Sequence, residues 1–406
     1  MAANVADATS VTRTEQQRRG MPLPVYVLGL SLFAMGSAEF LMAGVLPQMA
    51  SDLHISLPTA GTLISAFAVG VMLGAPPLAA LTLRLPRRVA LVTSQALFVA
   101  SIAVGLLTDG YWPLLIARFV SGLAYAGFWG VASITAVSLV PPDRTARALS
   151  VVVSGLTLAM VVGGPLGTVI GDAMGWRGGF WAVLAMTTLT AALTLLSLRG
   201  PAAGPEPRRD LGTELRALNN PRLWIAYGTA ALSTGAYMVT FGYLGAVLAD
   251  VSKLPVGWVP AVLSLFGIGA FAGLTVGGRS ADRQPFRTMT VGIIGIVVVS
   301  LALAVLAGQL ALTILLVFLL GVAGFVVNPA VLNRAFTIAQ AAPTLAGATN
   351  VAAFQVGITV APLLGGYAIS AGFGLTSVGW VGALFGVAAL GCALLDARLH
   401  QRTAKA

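Results

Sequence analysis

The chain carries very little charge for its length. Charged residues make up 9% of its 406 residues, whereas hydrophobic residues make up 57%. A soluble globular protein carries about 25% charged residues. So few charges cannot cover the surface of a soluble protein of this size, and we therefore expect a lipid bilayer to be the solvent for most of the chain.

Cysteine and histidine are almost absent. Cys392 is the single cysteine, which excludes an internal disulfide and a metal site built from a cysteine cluster. The two histidines, His54 and His400, fall in a predicted loop and a predicted tail, so a histidine metal site is not expected. No catalytic triad and no phosphate-binding loop can be assembled from the loops. We therefore predict neither a cofactor nor an enzyme activity.

The hydrophobic residues fall in twelve runs that are long enough to cross a membrane as helices. None of these runs has the alternating pattern that is typical of a membrane β-barrel. The predicted spans are residues 25–45, 59–80, 89–107, 114–137, 149–170, 181–198, 224–247, 259–276, 290–307, 310–327, 346–369 and 375–395.

The spans form two sets of six, separated by one long polar segment. We predict a disordered cytoplasmic tail (1–20), an N-terminal six-helix bundle (21–198), a cytoplasmic linker (199–221), a C-terminal six-helix bundle (222–397) and a cytoplasmic tail (398–406). The expected fold class is an all-α membrane protein with twelve transmembrane helices in two six-helix bundles. The first apolar run is too long for the core of a cleavable signal peptide.

The basic residues indicate how the chain is oriented in the membrane. With a cytoplasmic N-terminus, alternating crossings place all but three of the 23 Lys and Arg residues on the cytoplasmic side. Arg177 and Lys253 fall on the opposite side, and Arg118 lies inside a span. The positive-inside rule therefore predicts a multi-pass plasma-membrane protein with both termini in the cytoplasm. This orientation accounts for the net charge of +10 without a nucleic-acid partner.

Glu39 is the one acidic residue that the sequence places well inside a span. Acids inside a membrane are costly, usually face a cavity and often carry protons. Removal from water favours the protonated form of a carboxyl group, which suits such a group to binding and releasing protons. We interpret Glu39 as a proton-coupling residue. The alternative is a structural carboxyl group that bridges two helices.

Arg118 is the one basic residue that the sequence places inside a span, and we expect it to be the only buried base. At 1.5 Å per residue, Arg118 lies roughly 7 Å, and Glu39 roughly 12 Å, from the outer ends of their spans. These depths allow the two side chains to meet or to share a water molecule, so that protonation of Glu39 would release Arg118. A structural arginine bonded to helix carbonyls is the alternative.

A glycine-rich segment in the fifth span is expected to pack closely against a neighbour and to bend. Gly155, Gly163, Gly164 and Gly167 permit close helix approach, and Pro165 removes a backbone hydrogen bond. These five residues are candidate elements of a conformational change.

Two loops occupy matching places in the two halves, after the second and the eighth spans. The first reads LTLRLPRRVAL and contains Arg84, and the second reads GGRSADRQPFR and contains Asp282 and Arg283. Such an internal repeat indicates a duplicated six-helix unit. We interpret these three charged residues as parts of a latch between helix ends. Arginines that only set the topology would leave a similar pattern.

These motifs resemble those of the major facilitator superfamily, in its twelve-span drug:proton antiporter branch. The resemblance is carried by AEF in the first span, RFVSGLAYA in the fourth, GGPLG in the fifth and GWRGGFW before the sixth. Within the branch, the chain is most similar to actinobacterial chloramphenicol-resistance exporters, and sugar and nucleoside exporters share much of the pattern. The first loop departs from the family motif, with Leu83 where Asp is expected and Pro86 where Gly is expected.

The resemblance implies a substrate cavity between the two halves, near the middle of the membrane. Aromatic rings give such a cavity an apolar surface, and a few polar groups orient the ligand. Each aromatic residue taken alone is explained better by helix packing or lipid contact. The candidate substrate-binding residues are Phe40, Tyr125, Phe128, Trp129, Tyr237, Phe241, Asn328, Asn350 and Gln355.

The residues and the resemblance together predict proton-coupled efflux of a small, uncharged drug such as chloramphenicol, by alternating access. An uncharged substrate is expected because no second buried charge is predicted. The alternative is proton-coupled export of a sugar or nucleoside by the same fold. A membrane sensor or scaffold would need a soluble partner domain, which neither tail offers. The expected partners are the substrate, protons and the lipid bilayer, and the expected functional unit is a monomer.

The predicted orientation can be tested by labelling. In a Cys392→Ser background, a cysteine introduced in the 199–221 linker should not react with a membrane-impermeant maleimide in intact cells, whereas one near Lys253 should react. The reason is the one-sided distribution of basic residues. Both cysteines should react after the cells are permeabilised. Reaction of the linker cysteine in intact cells would overturn the topology.

Overall fold

The computed structural model describes residues 21–82, 86–141, 144–198, 219–339 and 343–405. Within these ranges the chain forms helices joined by short turns, and no strand is present. A bilayer favours helices because every backbone N–H and C=O then bonds within its own segment. The predicted first tail and residues 199–218 of the predicted linker lie outside the described residues.

Twelve helices follow one another in the described ranges, and π-helical turns interrupt or extend three of them. They are α1 (Leu23–Asp52), α2 (Leu57–Thr82), α3 (Arg87–Leu107), α4 (Tyr111–Ser138), α5 (Thr145–Leu158, the π-helical turn Ala159–Gly163, and Gly164–Met174), α6 (Trp176–Ser197), α7 (Pro221–Gly242, then Leu244–Ala246 and the π-helical turn Val247–Val251), α8 (Val259–Arg283), α9 (Pro285–Leu306), α10 (Leu310–Ile338), α11 (Pro343–Ala368, then the π-helical turn Ile369–Phe373) and α12 (Ser377–Lys405).

The number of membrane spans agrees with the prediction. In the described part of the chain, eleven helices are long and apolar enough to cross a membrane, and α7 makes the twelfth when its two parts, bent by 43°, are counted as one span. Most helices continue beyond the predicted hydrophobic run. For example, α10 ends at Ile338 rather than at 327, because a helix can continue through polar residues that a hydropathy pattern leaves out.

The extension of α10 shows that the expectation of Arg118 as the only buried base is wrong. Arg334 lies within α10, and its guanidinium group forms a two-pronged ion pair with Asp396 of α12, at 2.7 and 3.0 Å. The two side chains are 7% and 2% exposed. The ring of Phe286, in α9, lies 5.0 Å from the guanidinium carbon. Hydropathy misses this pair because opposite charges satisfy each other only once the bundle is packed.

Successive helices run in opposite directions, so the two ends of the molecule carry different residues. We call one of them the Asp52 end. At this end α1 ends and α2 begins, and α7 ends and α8 begins. The terminal end has Leu23 of α1 and Lys405 of α12. At the Asp52 end, Arg177 of α6 forms ion pairs with Asp52 and Asp109, at 2.8 and 3.0 Å.

The same close helix crossing occurs once in each six-helix bundle. α2 packs along α4 in the first bundle, and α8 packs along α10 in the second. A Cβ atom on Gly122 would collide with the carbonyl group of Phe67, and one on Gly321 would collide with that of Phe266. Glycine is required at both crossings because the helix backbones touch there. The two crossings are therefore copies of one element, as the internal repeat predicts.

The glycine-rich segment of α5 packs against α1. A Cβ atom on Gly155 would collide with the backbone of Gly29, and one on Gly164 would lie 2.8 Å from the Cβ atom of Phe40. The π-helical turn Ala159–Gly163 comes directly before Gly164 and Pro165. Proline cannot donate a backbone hydrogen bond, which accounts for an irregular turn at this point of the helix. The segment thus combines close packing with a local irregularity.

Gly164→Leu should block transport without preventing insertion into the membrane. The larger side chain would push α5 away from Phe40, and over-packing of this kind costs about 1–3 kcal/mol. Gly391→Leu is the matched control, because Gly391 is exposed on α12 and a Cβ atom there meets nothing within 4 Å. The measurement is substrate efflux normalised to the amount of protein in the membrane. Equal efflux from the two variants would show that the motif is only compositional.

Candidate functional site

A small cavity lies between the two bundles. Helices α1 and α2 form one side of it, and α7 and α11 form the other. Its volume is about 20 Å³, counted as the space that the centre of a water molecule can occupy. This is room for roughly one water molecule and too little for a drug-sized ligand. The cavity therefore has no room for substrate in this structure, and we call this form closed. Its lining residues are Glu39, Phe40, Ala43, Ile64, Met238, Phe241, Gly242, Ile358 and Pro362.

Arg118 of α4 holds the part of α1 that carries Glu39. Its Nη1 atom donates to the carbonyl oxygen of Ala38 at 3.2 Å, and its Nε atom donates to that of Leu63 at 3.4 Å. The guanidinium group lies 4.6 Å from the ring centre of Phe67. In the described part of the chain, no ion pair joins Arg118 to Glu39, and Nη2 has no hydrogen-bond partner.

Arg118 therefore shows features of both interpretations that the sequence leaves open. It bonds to helix carbonyls, as a structural arginine would. These bonds use two of the five N–H donors that an arginine has. An unpaired donor in a buried place costs about 1–3 kcal/mol. A carboxylate on the neighbouring turn of α1 is the natural acceptor for such a donor, so a coupling role with Glu39 fits the geometry.

The second bundle has the same helix crossing without the charge. Gly122 and Gly321 are matching positions, and one helical turn before them stand Arg118 and Val317. Val317 is fully buried, and Arg118 is buried as well. An apolar side chain is thus sufficient at this place in the crossing. Packing alone does not account for Arg118.

Glu39 also has an apolar counterpart. The spacing that matches Gly122 with Gly321 matches Gly36 with Gly235 and Glu39 with Met238. Glu39 and Met238 both line the cavity, from opposite bundles. The repeated fold therefore points two equivalent positions at one cavity, and the sequence supplies a charge at one of them.

The predicted aromatic residues separate into two groups. Phe40 and Phe241 line the cavity, and their rings meet edge to face with centres 6.2 Å apart. Tyr125 and Phe128 are fully buried within the first bundle, and Trp129 is half-buried. The structure thus brings the first two together at the cavity and places the others inside the helix packing.

The remaining substrate-binding candidates lie in the second bundle. Tyr237, Asn350 and Gln355 are buried, and Asn328 is half-buried. Both amide atoms of Asn350, the Oε1 atom of Gln355 and the Oδ1 atom of Asn328 have no hydrogen-bond partner among the described residues. Buried polar groups without partners are rare in natural proteins and call for a ligand or a water molecule. None of these residues lines the closed cavity.

The structure describes the predicted latch only in part. Arg84 lies outside the described residues, as does the side chain of Asp282. Arg283 is exposed at the end of α8. In α5, Gly163 packs against Ser37, and Gly167 packs against Leu41, which both lie in α1.

Tyr243 stands at the bend in α7, and no sequence pattern marks it. Its ring is fully buried, and its hydroxyl group donates to the carbonyl oxygen of Pro362 in α11 at 2.8 Å. A Cβ atom on Gly61 of α2 would collide with the hydroxyl group, and one on Gly366 of α11 would lie 2.8 Å from it. Tyr243 therefore fills a socket between opposite bundles. The sequence could not reveal this socket because three separate helices build it.

Further contacts join the bundles in the same half of the molecule. A Cβ atom on Gly245 of α7 would lie 2.5 Å from the carbonyl oxygen of Ala43 in α1. The hydroxyl group of Ser65 in α2 donates to the carbonyl oxygen of Thr359 in α11 at 2.8 Å. These contacts and the Tyr243 socket all lie in the half of the helices nearer the Asp52 end, so the bundles are fastened together there.

Known proteins with similar sequences are membrane transporters or resistance proteins. A chloramphenicol resistance protein of Streptomyces lividans is 42% identical over 350 residues, which is 85% of this chain and 88% of the relative. The inner membrane transport protein YdhP of Escherichia coli K12 is 33% identical over 380 residues, or 94% of this chain and 97% of the relative. A "Probable sugar efflux transporter" of Helicobacter pylori is 27% identical over 383 residues, or 94% and 96%.

Solved structures support the fold. A bacterial homologue of the human lysosomal transporter Spinster, in an inward-facing and unoccupied conformation, matches with a TM-score of 0.76 and 16% identity, over 94% of this chain and 98% of that chain. The sequence model of the Major Facilitator Superfamily matches residues 28–362. The expected all-α fold with two six-helix bundles is confirmed. The chain belongs to the Major Facilitator Superfamily and is a membrane transporter rather than an enzyme.

Proposed function

We propose that this transporter exports a small, uncharged drug such as chloramphenicol across the plasma membrane in exchange for protons. The observation that carries the proposal is the position of Glu39, which lines the cavity between the bundles beside Phe40 and Phe241. A carboxyl group at this place can meet both the substrate and the protons that drive its export. The 42% identity to a chloramphenicol resistance protein supports the choice of substrate.

The proposed mechanism is alternating access to this cavity. The fastened Asp52 end, which we expect to face outward, would separate when Tyr243 leaves its socket. Glu39 would then exchange protons with one side of the membrane at a time. An ionised Glu39 attracts the guanidinium group of Arg118, and protonation removes that attraction. Because Arg118 bonds to the carbonyl oxygen of Ala38, a movement of Arg118 would change how α4 holds α1.

The polar groups of the second bundle favour an uncharged substrate. The unpaired amides of Asn350 and Gln355 can donate to and accept from hydroxyl and amide groups of a ligand. Arg334 and Asp396 neutralise each other and do not line the cavity. Glu39 is thus the one ionisable side chain that lines the cavity in the described part of the chain.

A sugar or nucleoside is the second candidate substrate. Amide groups also suit sugar hydroxyls, and the chain is 27% identical to a "Probable sugar efflux transporter". A susceptibility panel in an efflux-deficient host separates the two candidates. Raised tolerance to chloramphenicol supports drug export, whereas sugar export with unchanged tolerance supports the second candidate.

Glu39→Gln should abolish proton-driven efflux. Glutamine keeps the shape of the side chain and its capacity for hydrogen bonds but cannot ionise, so it resembles the protonated state permanently. Substrate binding and passive exchange should therefore persist, while uphill transport is lost. The measurement is substrate transport in membrane vesicles with and without an imposed pH gradient.

Glu39→Asp is the matched variant for this experiment. It keeps the charge at a shifted position and should retain part of the driven transport. If Glu39→Gln accumulates substrate in vesicles as fully as the unmodified protein when a pH gradient is imposed, Glu39 is not the proton site. It would then be a structural or substrate-binding residue.

Gly61→Leu should hold the Asp52 end open. The leucine side chain would occupy the place of the Tyr243 hydroxyl group. Tyr243 then cannot enter its socket, and the two bundles cannot come together at this end. In a Cys392→Ser background, a cysteine replacing the cavity residue Ile64 should react with an external maleimide several-fold faster when Gly61→Leu is present. Gly391→Leu is again the control and should leave the rate unchanged. Equal rates in all three proteins would exclude a gating role for the socket.

A further inference from the structure

We propose that Tyr125 positions the proton-carrying group: its hydroxyl group and the Nη2 atom of Arg118 donate hydrogen bonds to the Glu39 carboxylate when Glu39 is ionised. This inference rests on the proposed role of Glu39 as the proton site. The sequence alone makes Tyr125 a candidate substrate-binding residue. In this proposal it is instead a positioning residue for proton transfer.

The first observation is a hydroxyl group without a partner. Tyr125 is completely buried, and its hydroxyl group has no hydrogen bond in the described part of the chain. The Nη2 atom of Arg118 is in the same situation. Two unpaired donors on one face of one helix indicate an acceptor that both of them bind in another state of the protein.

The second observation is where these donors lie. The Tyr125 hydroxyl group is 3.7 Å from the place that a Cβ atom on Gly36 would occupy, so it lies beside α1 one turn before Glu39. Arg118 reaches the same stretch of α1 at the carbonyl oxygen of Ala38. Both donor residues therefore lie at the helical turn that leads into Glu39.

The ring of Phe67 packs against both donor residues and fixes their positions. The Tyr125 ring packs against it with centres 5.6 Å apart, and the Arg118 guanidinium carbon lies 4.6 Å from its centre. Phe67 belongs to α2, which is joined to α4 by the glycine crossing described above. The donors are thus held by a rigid element, as a precise proton site requires.

The Glu39 carboxylate can accept hydrogen bonds from a second position. In this structure its side chain is partly exposed and lines the cavity. The carboxylate is carried on a chain of rotatable bonds, so a change of rotamer can turn it from the cavity toward α4. The cavity position serves exchange of the proton, and the α4 position holds the ionised carboxylate between Tyr125 and Arg118.

The second bundle provides an internal comparison. The position that matches Tyr125 is Gly324, and the ring of Tyr237 from α7 fills the space there, 2.7 Å from the place of a Cβ atom on Gly324. That ring packs near Phe266, the counterpart of Phe67, with centres 6.5 Å apart. Both bundles thus bury a tyrosine ring at this crossing. In the first bundle alone, the ring comes with an arginine and an acid.

A packing role or a substrate-binding role explains these facts less well. A ring that only packs needs no hydroxyl group, and phenylalanine would avoid burying an unpaired one. A role in substrate binding leaves unexplained why its hydroxyl group lies beside α1, one turn before Glu39.

The test uses Tyr125→Phe in proteoliposomes and compares two rates. One is efflux driven by an imposed pH gradient, and the other is exchange of labelled for unlabelled substrate without a gradient. We expect driven efflux to fall about ten-fold, the value of one hydrogen bond to a charged group, with unchanged KM. Exchange should be unaffected, because it requires no net proton transfer. The melting temperature should not fall, since the hydroxyl group has no partner in the closed state.

Tyr237→Phe is the matched control. It removes the hydroxyl group from the ring that fills the corresponding place in the second bundle, where the position that matches Glu39 is the uncharged Met238. It is expected to change the KM for substrate and to leave the ratio of driven efflux to exchange as in the unmodified protein. A fall of that ratio in Tyr237→Phe as large as in Tyr125→Phe would overturn the assignment.

Two further results would also overturn it. If Tyr125→Phe keeps full driven efflux while Glu39→Gln loses it, Tyr125 has no part in the proton step and the proposed function stands. If Tyr125→Phe loses driven efflux and exchange together, with a lowered melting temperature, its role is structural. If Glu39→Gln itself keeps driven efflux, the proposed function fails first, whatever Tyr125→Phe does.

Discussion

Inside a bilayer, every polar group must find its partner within the protein, because no water is present to replace one. This constraint makes the chain helical, and it determines which polar side chains the helices can carry. Arg334 meets it, since Asp396 takes two of its donors in a buried pair and, among the described residues, none of its donors is left buried without a partner. Arg118 meets it in part, because two carbonyl oxygens accept from it while its Nη2 atom is buried without a partner in the described part of the chain. The degree to which a buried group is satisfied therefore separates structural residues from candidate functional ones.

Much of the fold follows from the sequence, because hydropathy and charge act locally along the chain. Twelve spans can be counted, and Glu39 stands out as an acid within an apolar run. Contacts between distant segments are a different matter. The pairing of Arg334 with Asp396 and the socket around Tyr243 join helices far apart in sequence, and neither leaves a periodic pattern. Such features are visible only when the helices are placed side by side.

The same limit applies to the candidate site. Phe40 and Phe241 reach the cavity as the family resemblance implies, but Met238 also lines it and has no property that a sequence motif would record. Its place becomes understandable through the internal repeat, which aligns it with Glu39. The duplicated scaffold supplies equivalent positions in both bundles, and the chemistry differs between them. The first bundle carries the ionisable side chain that lines the cavity, while the second offers unpaired amides.

The small size of the closed cavity has a consequence for the energy balance of the cell. A space for roughly one water molecule cannot contain a file of hydrogen-bonded waters, and protons cross apolar regions along such files. With the Asp52 end fastened, such a file therefore has no room to form in the cavity that Glu39 lines. In this form the cavity therefore adds no path of ordered waters along which protons could leak down the gradient that other proteins use.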